Sequence, residues 1–309
     1  MSKVGFIYSP VFLKHATPLG HPESKERLRA ITAGLEAAPF WNDIIKIEPS
    51  KADFDDIARV HTNGYIEDVK NFGSGHLDAD TYFSTHSLEA ALYAAGAVTE
   101  AVRRCKSGEI THAFCAVRPP GHHAETDRAM GFCIFNNIAI GARYAQKSGY
   151  KKVFIIDFDV HHGNGTQHTF YEDDTVFYFS THQYPHYPGT GGSDESGRGR
   201  GEGYTYNLPM SSGSGYKEFF SAYCEVLPGL VRRFGPDIVL VSAGYDIHAS
   251  DPLAGLRVSD EGIRSIVSCI LSSPAGPEPV PIIFVLEGGY DLEALASSVR
   301  ITIEEMLKA

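Results

Sequence analysis

The stretch Val153-Phe-Ile-Ile-Asp157-Phe-Asp159-Val-His161-His-Gly-Asn164-Gly165 decides how this chain is read. It begins as a buried-strand run, Val153 to Ile156, and then places Asp157, Asp159 and His161 at alternate positions. Residues two apart on a strand share a face, so two carboxylates and an imidazole leave the end of one strand on the same side. Carboxylates facing one way repel each other, and a cation or a hydrogen-bonded imidazole relieves that repulsion. Carboxylate oxygen with imidazole nitrogen is a ligand set that suits a divalent transition metal. The plainer reading is a solvated strand end with chance polar residues. The unbroken apolar run before it and the Gly-Asn-Gly turn after it count against that.

Outward from this stretch, short apolar runs recur at Val4–Tyr8, Ala113–Val117, Val176–Ser180, Ile238–Ser242 and Ile282–Leu286. Several are apolar throughout, the pattern of strands covered on both faces of a parallel sheet. Helical character lies between them at Leu88–Cys105, Asn137–Lys147, Tyr216–Phe234 and Asp260–Leu271. This alternation predicts a three-layer α/β/α fold with a central, mostly parallel sheet. No linker of altered composition divides the chain, so residues 1–309 are expected to form one domain. The polar motifs stand where such a fold puts a site. Arg118-Pro-Pro-Gly-His-His123, Ser242-Ala-Gly-Tyr-Asp246 and Glu287-Gly-Gly-Tyr290 each follow a predicted strand. Open α/β sheets bind ligands outside the carboxyl ends of their strands. The segment from Thr181 to Leu208, rich in Gly, Tyr and Pro, is expected to be one long loop, and loops of that length are usually functional.

With 27 basic and 38 acidic residues the net charge is −11, which disfavours non-specific nucleic-acid binding and mildly favours a cationic substrate. The five cysteines are scattered, with no Cys-x-x-Cys pair, and most lie in apolar runs. Buried free thiols are then the default, which fits a reducing, cytoplasmic compartment. The N-terminal apolar run is too short for a signal peptide, and no segment is long enough to span a bilayer.

A catalytic metal site takes three protein ligands and keeps an open position. Asp159 and His161 supply two, and Asp246, at the end of its own strand, is the natural third. Asp157 is then free to orient an imidazole from behind. The imidazoles on hand are the tandem pair His122-His123, on a loop that Gly121 lets turn sharply. One of the pair, held by a carboxylate, would be a strong hydrogen-bond partner. The other, beside a neutral group, would serve as general base. Tyr290 could donate its phenol proton to a developing oxyanion. Together these parts describe metal-assisted amide hydrolysis. For His76, His86 and His112, surface or core packing is the better reading.

The chain resembles the histone deacetylase family, which includes acetylpolyamine amidohydrolases and acetoin-utilisation proteins. The resemblance rests on His21-Pro-Glu23, Arg118 to Ala124, Gly131-Phe-Cys133, Asn136-Asn137, Asp157 to Gln167, Pro188-Gly-Thr-Gly191, Ser242 to Asp246, Asp251-Pro-Leu253 and Glu287 to Tyr290. It implies the arginase/deacetylase α/β fold and a hydrolase with one zinc ion, held by Asp159, His161 and Asp246. It implies further that Asp157 pairs with His122. His123 is the general base with Asn164 as its partner, Asn there being similar to the class II branch. Tyr290 is the catalytic tyrosine, and Gly131, Phe132 and Tyr187 line an acyl-lysine channel in which Tyr187 replaces a more usual Phe. The family's potassium site would correspond to the backbone oxygens of Asp157, Asp159 and His161 with the Ser180 hydroxyl.

Polyamine-selective members of one branch carry an acidic gatekeeper where this chain has Leu253, so the resemblance favours an acyl-lysine protein or peptide as substrate over an acetylated small amine. Three competing readings are acetylpolyamine hydrolysis, a non-catalytic acyl-ligand sensor and a binuclear manganese ureohydrolase. The intact Tyr290, histidine pair and ligand trio count against the sensor. The ureohydrolase would need more bridging carboxylates than the Asp157 strand offers.

Overall fold

The structure is a computed structural model that describes residues 2–274 and 279–309. Its strands are β1 (Val4–Ile7), β2 (Ile45–Ile47), β3 (Gly75–His76), β4 (Tyr82–Phe83), β5 (His112–Cys115), β6 (Val153–Asp157), β7 (Val176–Gln183), β8 (Thr205–Met210), β9 (Ile238–Ala243) and β10 (Ile282–Leu286). Its α-helices are α1 (Lys25–Glu36), α2 (Phe54–Ile57), α3 (Asn63–Asn71), α4 (Ser87–Lys106), α5 (Asn137–Lys147), α6 (Asn164–Phe170), α7 (Tyr216–Phe220), α8 (Leu227–Phe234), α9 (Asp260–Ser272) and α10 (Leu292–Lys308).

Eight strands form one sheet in the order β2-β1-β5-β10-β9-β6-β7-β8, and every neighbouring pair is parallel. The central strands β6, β9 and β10 are buried at every residue, as their unbroken apolar runs require of strands covered on both faces. Helices α1, α10, α9, α8 and α7 pack on one another in one layer, and α4, α5, α2 and α6 in another. The fold is therefore the expected three-layer α/β arrangement. β5, β10, β9 and β6 are consecutive in the sheet and point the same way, so the four motifs that follow them emerge side by side at one end.

The structure corrects three expectations. The segment Thr181–Leu208 is not all loop: β7 runs on to Gln183 and β8 begins at Thr205, leaving residues 184–204 as the connection. β8 is an edge strand with mixed exposure and a proline at 209, so its apolar signal is weak. Second, the single helix expected over Tyr216–Phe234 is interrupted by a wider helical turn at Ser221–Val226 between α7 and α8. Pro228 lies in the first turn of α8 and has no N–H for the ladder, which accounts for the widening just ahead of it. Third, Cys224 and Cys269 form a disulfide joining that wider turn to α9, while Cys105, Cys115 and Cys133 are free and buried. Two of the five thiols thus depart from the expected free state, and cysteine usage no longer argues for a reducing compartment. No helix among the described residues is long and apolar enough to cross a membrane.

Candidate metal centre and active site

Asp159 and His161 follow β6, and Asp246 follows β9, the adjacent strand. One ligand atom from each lies within 4.8 Å of the others. Backbone amides fix both carboxylates. Val160 N–H donates to Asp246 Oδ1 at 2.9 Å, Gly288 N–H to Asp159 Oδ2 at 2.8 Å, and His161 N–H to Asp159 Oδ1 at 2.9 Å. His161 Nδ1 sits 3.0 Å from Asp159 Oδ1 and 3.3 Å from Asp246 Oδ2. Asp246 Oδ2 is buried with no hydrogen-bond partner, an expensive arrangement unless a cation occupies its lone pairs. Burial, and then the charge of Asp159, push the Asp246 carboxyl up to about 7. Burial works to lower the His161 imidazole, but its hydrogen bond to Asp159 and the nearby Asp246 carboxylate overcome that and raise it to about 10. A field that holds a proton so firmly would hold a divalent cation in its place. Two carboxylates, one imidazole nitrogen and an orphaned oxygen therefore fit a metal ion with coordination positions left over.

Asp157 is fully engaged elsewhere. Its Oδ1 accepts from Asp159 N–H at 3.2 Å. Its Oδ2 lies 3.1 Å from His122 Nδ1 and accepts from the Tyr178 hydroxyl at 3.1 Å. The rings of His122 and His123 are 4.0 Å apart, yet their environments drive them in opposite directions. For His122, burial is outweighed by the charges of Asp159 and Asp157, and its pKa rises to about 10. For His123, burial and then the positive charges of His122 and His161 hold the pKa well below the usual histidine value. The His123 tautomer follows from a chain of partners. Asn164 Nδ2 donates to Glu125 Oε1 at 2.6 Å, which turns Asn164 Oδ1 toward His123 Nδ1 at 2.8 Å. Nδ1 must then carry the proton, and the Nε2 lone pair is free to accept one.

Several supporting residues carried no readable partner in the sequence. Glu287, at the end of β10, accepts from the backbone N–H of Gly121 at 2.7 Å and of His122 at 3.2 Å, and its other oxygen accepts from the Ser242 hydroxyl at 3.1 Å. It shapes the histidine loop from the end of the adjacent strand. Asp251 accepts from Tyr290 N–H at 2.7 Å and from Leu253 N–H at 3.0 Å, joining the Tyr290 loop to the Leu253 loop. Arg27, wholly buried, donates to the carbonyls of Gly289 at 2.7 Å and Glu287 at 2.5 Å. Glu23 anchors Arg27 and the equally buried Arg118. Glu23, Arg118, Asp251 and Glu287 lie in motifs that were visible, whereas Arg27 lies in none and reaches a partner 262 residues away.

Asp80, His123, Gly131, Phe132, His161, Tyr187, Leu253 and Tyr290 line one cavity of about 110 Å³. That is well below the few hundred Å³ of a site for a bulky ligand, so it takes a slender chain. Tyr187 meets His123 edge-on at 5.2 Å, and Phe132 meets Tyr290 edge-on at 6.2 Å. Phe132 holds a left-handed φ of 68°, which costs energy for a bulky side chain. Thr81 Oγ1 and Asp80 Oδ1 secure it by accepting the N–H groups of Phe132 at 3.0 Å and Gly131 at 3.2 Å. Asp80 at the cavity wall had no signal of its own. Burial and the neighbouring Asp78 raise its carboxyl. Asp157 and Asn164 stand behind the cavity rather than in it, and the Ser180 hydroxyl bonds His182 Nδ1 at 2.8 Å. His76 and His86 are exposed and His112 begins β5, all three apart from the cavity.

A family model described as "Histone deacetylase domain" matches residues 21–306. The chain is 43% identical to "Histone deacetylase 10, chloroplastic" of Oryza sativa subsp. japonica, over 93% of this chain and 70% of that one. It is 42% identical to a "Probable deacetylase" of Methanothermobacter thermautotrophicus, over 94% of this chain and 87% of that one. Among solved structures, the crystal structure of the HDA15 HD domain superposes with a TM-score of 0.93 at 36% identity, covering 99% of this chain and 88% of that chain.

Proposed function

The chain belongs to the histone deacetylase family and is a hydrolytic deacetylase, and from that premise we propose that it is a zinc enzyme removing acetyl or longer acyl groups from lysine side chains. The observation that carries the reading is the slender cavity, lined by His122, His123 and His161, the last of which clusters with Asp159 and Asp246. The trio would hold the ion; when bound, it acts as a Lewis acid toward the amide carbonyl and acidifies the attacking water. His123 Nε2 takes the water proton, since its Nδ1 is committed to Asn164 and the ring is neutral. His122, held cationic against Asp157, keeps its proton and provides positive charge beside the developing oxyanion. Burial keeps the Tyr290 phenol protonated far above neutral pH, so it can donate to that oxyanion. Gly131, Phe132 and Tyr187 flank the aliphatic stem, with Leu253 at the mouth. Residues 1–309 then act as a single catalytic domain. A potassium ion at the backbone oxygens of Asp157, Asp159 and His161 would brace the metal strand. We place the activity in the cytoplasm, with no contact to nucleic acid or membrane.

Asp80 supports a second reading, an acetylated small amine, because its carboxylate lines the cavity that Leu253 leaves uncharged. The test gives zinc-loaded protein an acetyl-lysine peptide, a longer acyl-lysine peptide and N-acetylputrescine, with and without chelator. Chelator-sensitive turnover of a peptide is expected. Preference for acetylputrescine would replace the lysine reading with the second one, and turnover that survives full metal removal would end the zinc assignment.

A further inference from the structure

The motif Pro188-Gly-Thr-Gly-Gly192 and the acidic residues after it take no part in the chemistry above, yet they meet the metal strand through a buried polar chain. We infer that Glu195 is a positioning residue that seats the channel wall bearing Tyr187 against the segment bearing His161, by setting the direction of every hydrogen bond in that chain. This rests on the reading of the cavity as an acyl-lysine channel.

A carboxylate accepts and never donates. Glu195 Oε1 accepts from the N–H groups of Gly191 at 3.0 Å and Gly192 at 2.9 Å, and Oε2 accepts from Gln167 Nε2. The Gln167 amide is thereby oriented with Oε1 pointing away from Glu195. That oxygen lies 2.7 Å from Asn207 Nδ2 and 2.9 Å from His162 Nε2. Both must donate to it, so His162 carries its proton on Nε2. Its Nδ1 then accepts from the Thr190 hydroxyl at 2.7 Å. Asn207 is fixed as well. Its Nδ2 also faces the carbonyls of Gly192 and Glu195, and reversing the amide would set oxygen against oxygen three times. A second imidazole closes the arrangement: His182 Nε2 donates to the Gly191 carbonyl at 2.8 Å, beneath a left-handed Gly191 with φ 91°. A Cβ at Gly191 would come within 2.4 Å of His182 and 2.7 Å of His162.

The chain therefore runs from Glu195 through Gln167 and His162 to Thr190, three residues beyond Tyr187. His162 is the neighbour of His161, and His186, beside Tyr187, stacks on the His161 ring at 5.3 Å. One acceptor-only group thus decides whether the channel wall sits on the metal strand.

The test is a polarity swap in the zinc-loaded full chain. In Glu195→Gln, Oε1 still accepts from Gly191 and Gly192, which turns an NH2 toward the Gln167 NH2. The KM for an acetyl-lysine peptide should rise roughly tenfold, the scale of one misplaced hydrogen bond, while kcat stays within about threefold. The double variant Gln167→Glu with Glu195→Gln reverses donor and acceptor between the two positions. The Glu at 167 still accepts from Asn207 and His162, so KM should return to within about threefold of the parent. Nitrogen-15 NMR should find His162 protonated on Nε2 in the parent and the double variant, and altered in Glu195→Gln. Additive losses in the double variant, or a parent His162 protonated on Nδ1, would overturn the inference. If no acyl-lysine peptide is turned over, the proposed substrate is wrong, and the His162 tautomer with its response to the swap still decides the polarity of the chain.

Discussion

Replacing Gly288 with alanine should abolish tight metal binding while leaving most of the fold in place. The Gly288 backbone is in an ordinary conformation, so alanine brings no φ penalty, and the whole effect comes from one added methyl. That Cβ would stand 2.0 Å from Asp246 Oδ2 and 2.6 Å from Asp159 Oδ2, where ordinary contact begins at 3.4 Å. Neither oxygen can yield freely. Asp159 Oδ2 is fixed by Gly288 N–H itself, and the Asp246 carboxylate is pinned through Oδ1 to Val160 N–H. Relief requires a displacement of more than ~1 Å, against a metal–ligand tolerance of about 0.2 Å. Disturbing a group that only orients a ligand costs about 10–100-fold in metal affinity, so displacing two ligands directly should cost at least ~100-fold. Overpacking should also cost roughly 1–3 kcal/mol of stability. The assay is competition for zinc with a chromophoric chelator, alongside urea unfolding of the metal-free protein. Gly289→Ala is the control. Its glycine has φ 117°, and its Cβ would meet Leu295 and Tyr245 at 3.0 and 3.2 Å. It should lose stability yet keep zinc affinity within about threefold. Equal zinc affinity in Gly288→Ala and the parent would refute the placement of the metal between Asp159 and Asp246.

Tyr290→Phe should lower kcat by about two to three orders of magnitude with little change in zinc content, as for loss of an oxyanion donor; an unchanged kcat would remove the phenol from the mechanism. The Glu23 carboxyl is buried, which would raise its pKa, but Arg118 and His15 hold it well below the usual range. A depressed folded-state pKa contributes stability above the unfolded value of about 4.3 and loses it as pH falls further. Glu23→Gln should therefore cost roughly 3–5 kcal/mol at pH 7, because it strands two buried guanidinium groups, and the gap to the parent should narrow below pH 4 in urea unfolding. A gap independent of pH would show that charge is not the cause. Cys224 and Cys269 close a loop of 45 residues in sequence separation, so a dithiol should lower stability by roughly 2–4 kcal/mol, with no response in Cys224→Ser. A parent protein indifferent to dithiol would mean that the pair is not formed in solution.

The cluster of Asp157, Asp159 and His161 and the strands around it were legible because both signals are local. Asp157, Asp159 and His161 alternate within five residues, and the runs that became β6, β9 and β10 are apolar throughout. What escaped was relational. Glu287 supports the histidine loop from 166 residues away, and Arg27 reaches Gly289 across 262. A lone glutamate or arginine gives no sign of a partner that only the sheet order brings near. β2 and β8 were missed because edge strands are half-exposed and short or mixed in pattern. The break in the 216–234 helix was foreshadowed by Pro228, whose missing N–H should have counted against a continuous ladder. The cysteine pair was hidden because spacing alone does not reveal which helical faces meet.

The last strand in the chain lies in the middle of the sheet. β10 is flanked by β5 and β9, which do not pair with each other, so among the described residues it is the strand that joins β2-β1-β5 to β9-β6-β7-β8. A polypeptide leaving the ribosome has made the histidine loop and Asp159, His161 and Asp246 before β10 exists. Without β10 the strand order leaves β5 and β9 each with an unpaired edge, the kind of edge that invites wrong partners. Joining them brings Glu287 under the histidine loop, Gly288 onto Asp159 and Tyr290 into the cavity in one event. Assembly of the site is thus tied to the making of β10, and a chain stopped short of Ile282 carries Asp159, His161 and Asp246 without Gly288 or Tyr290.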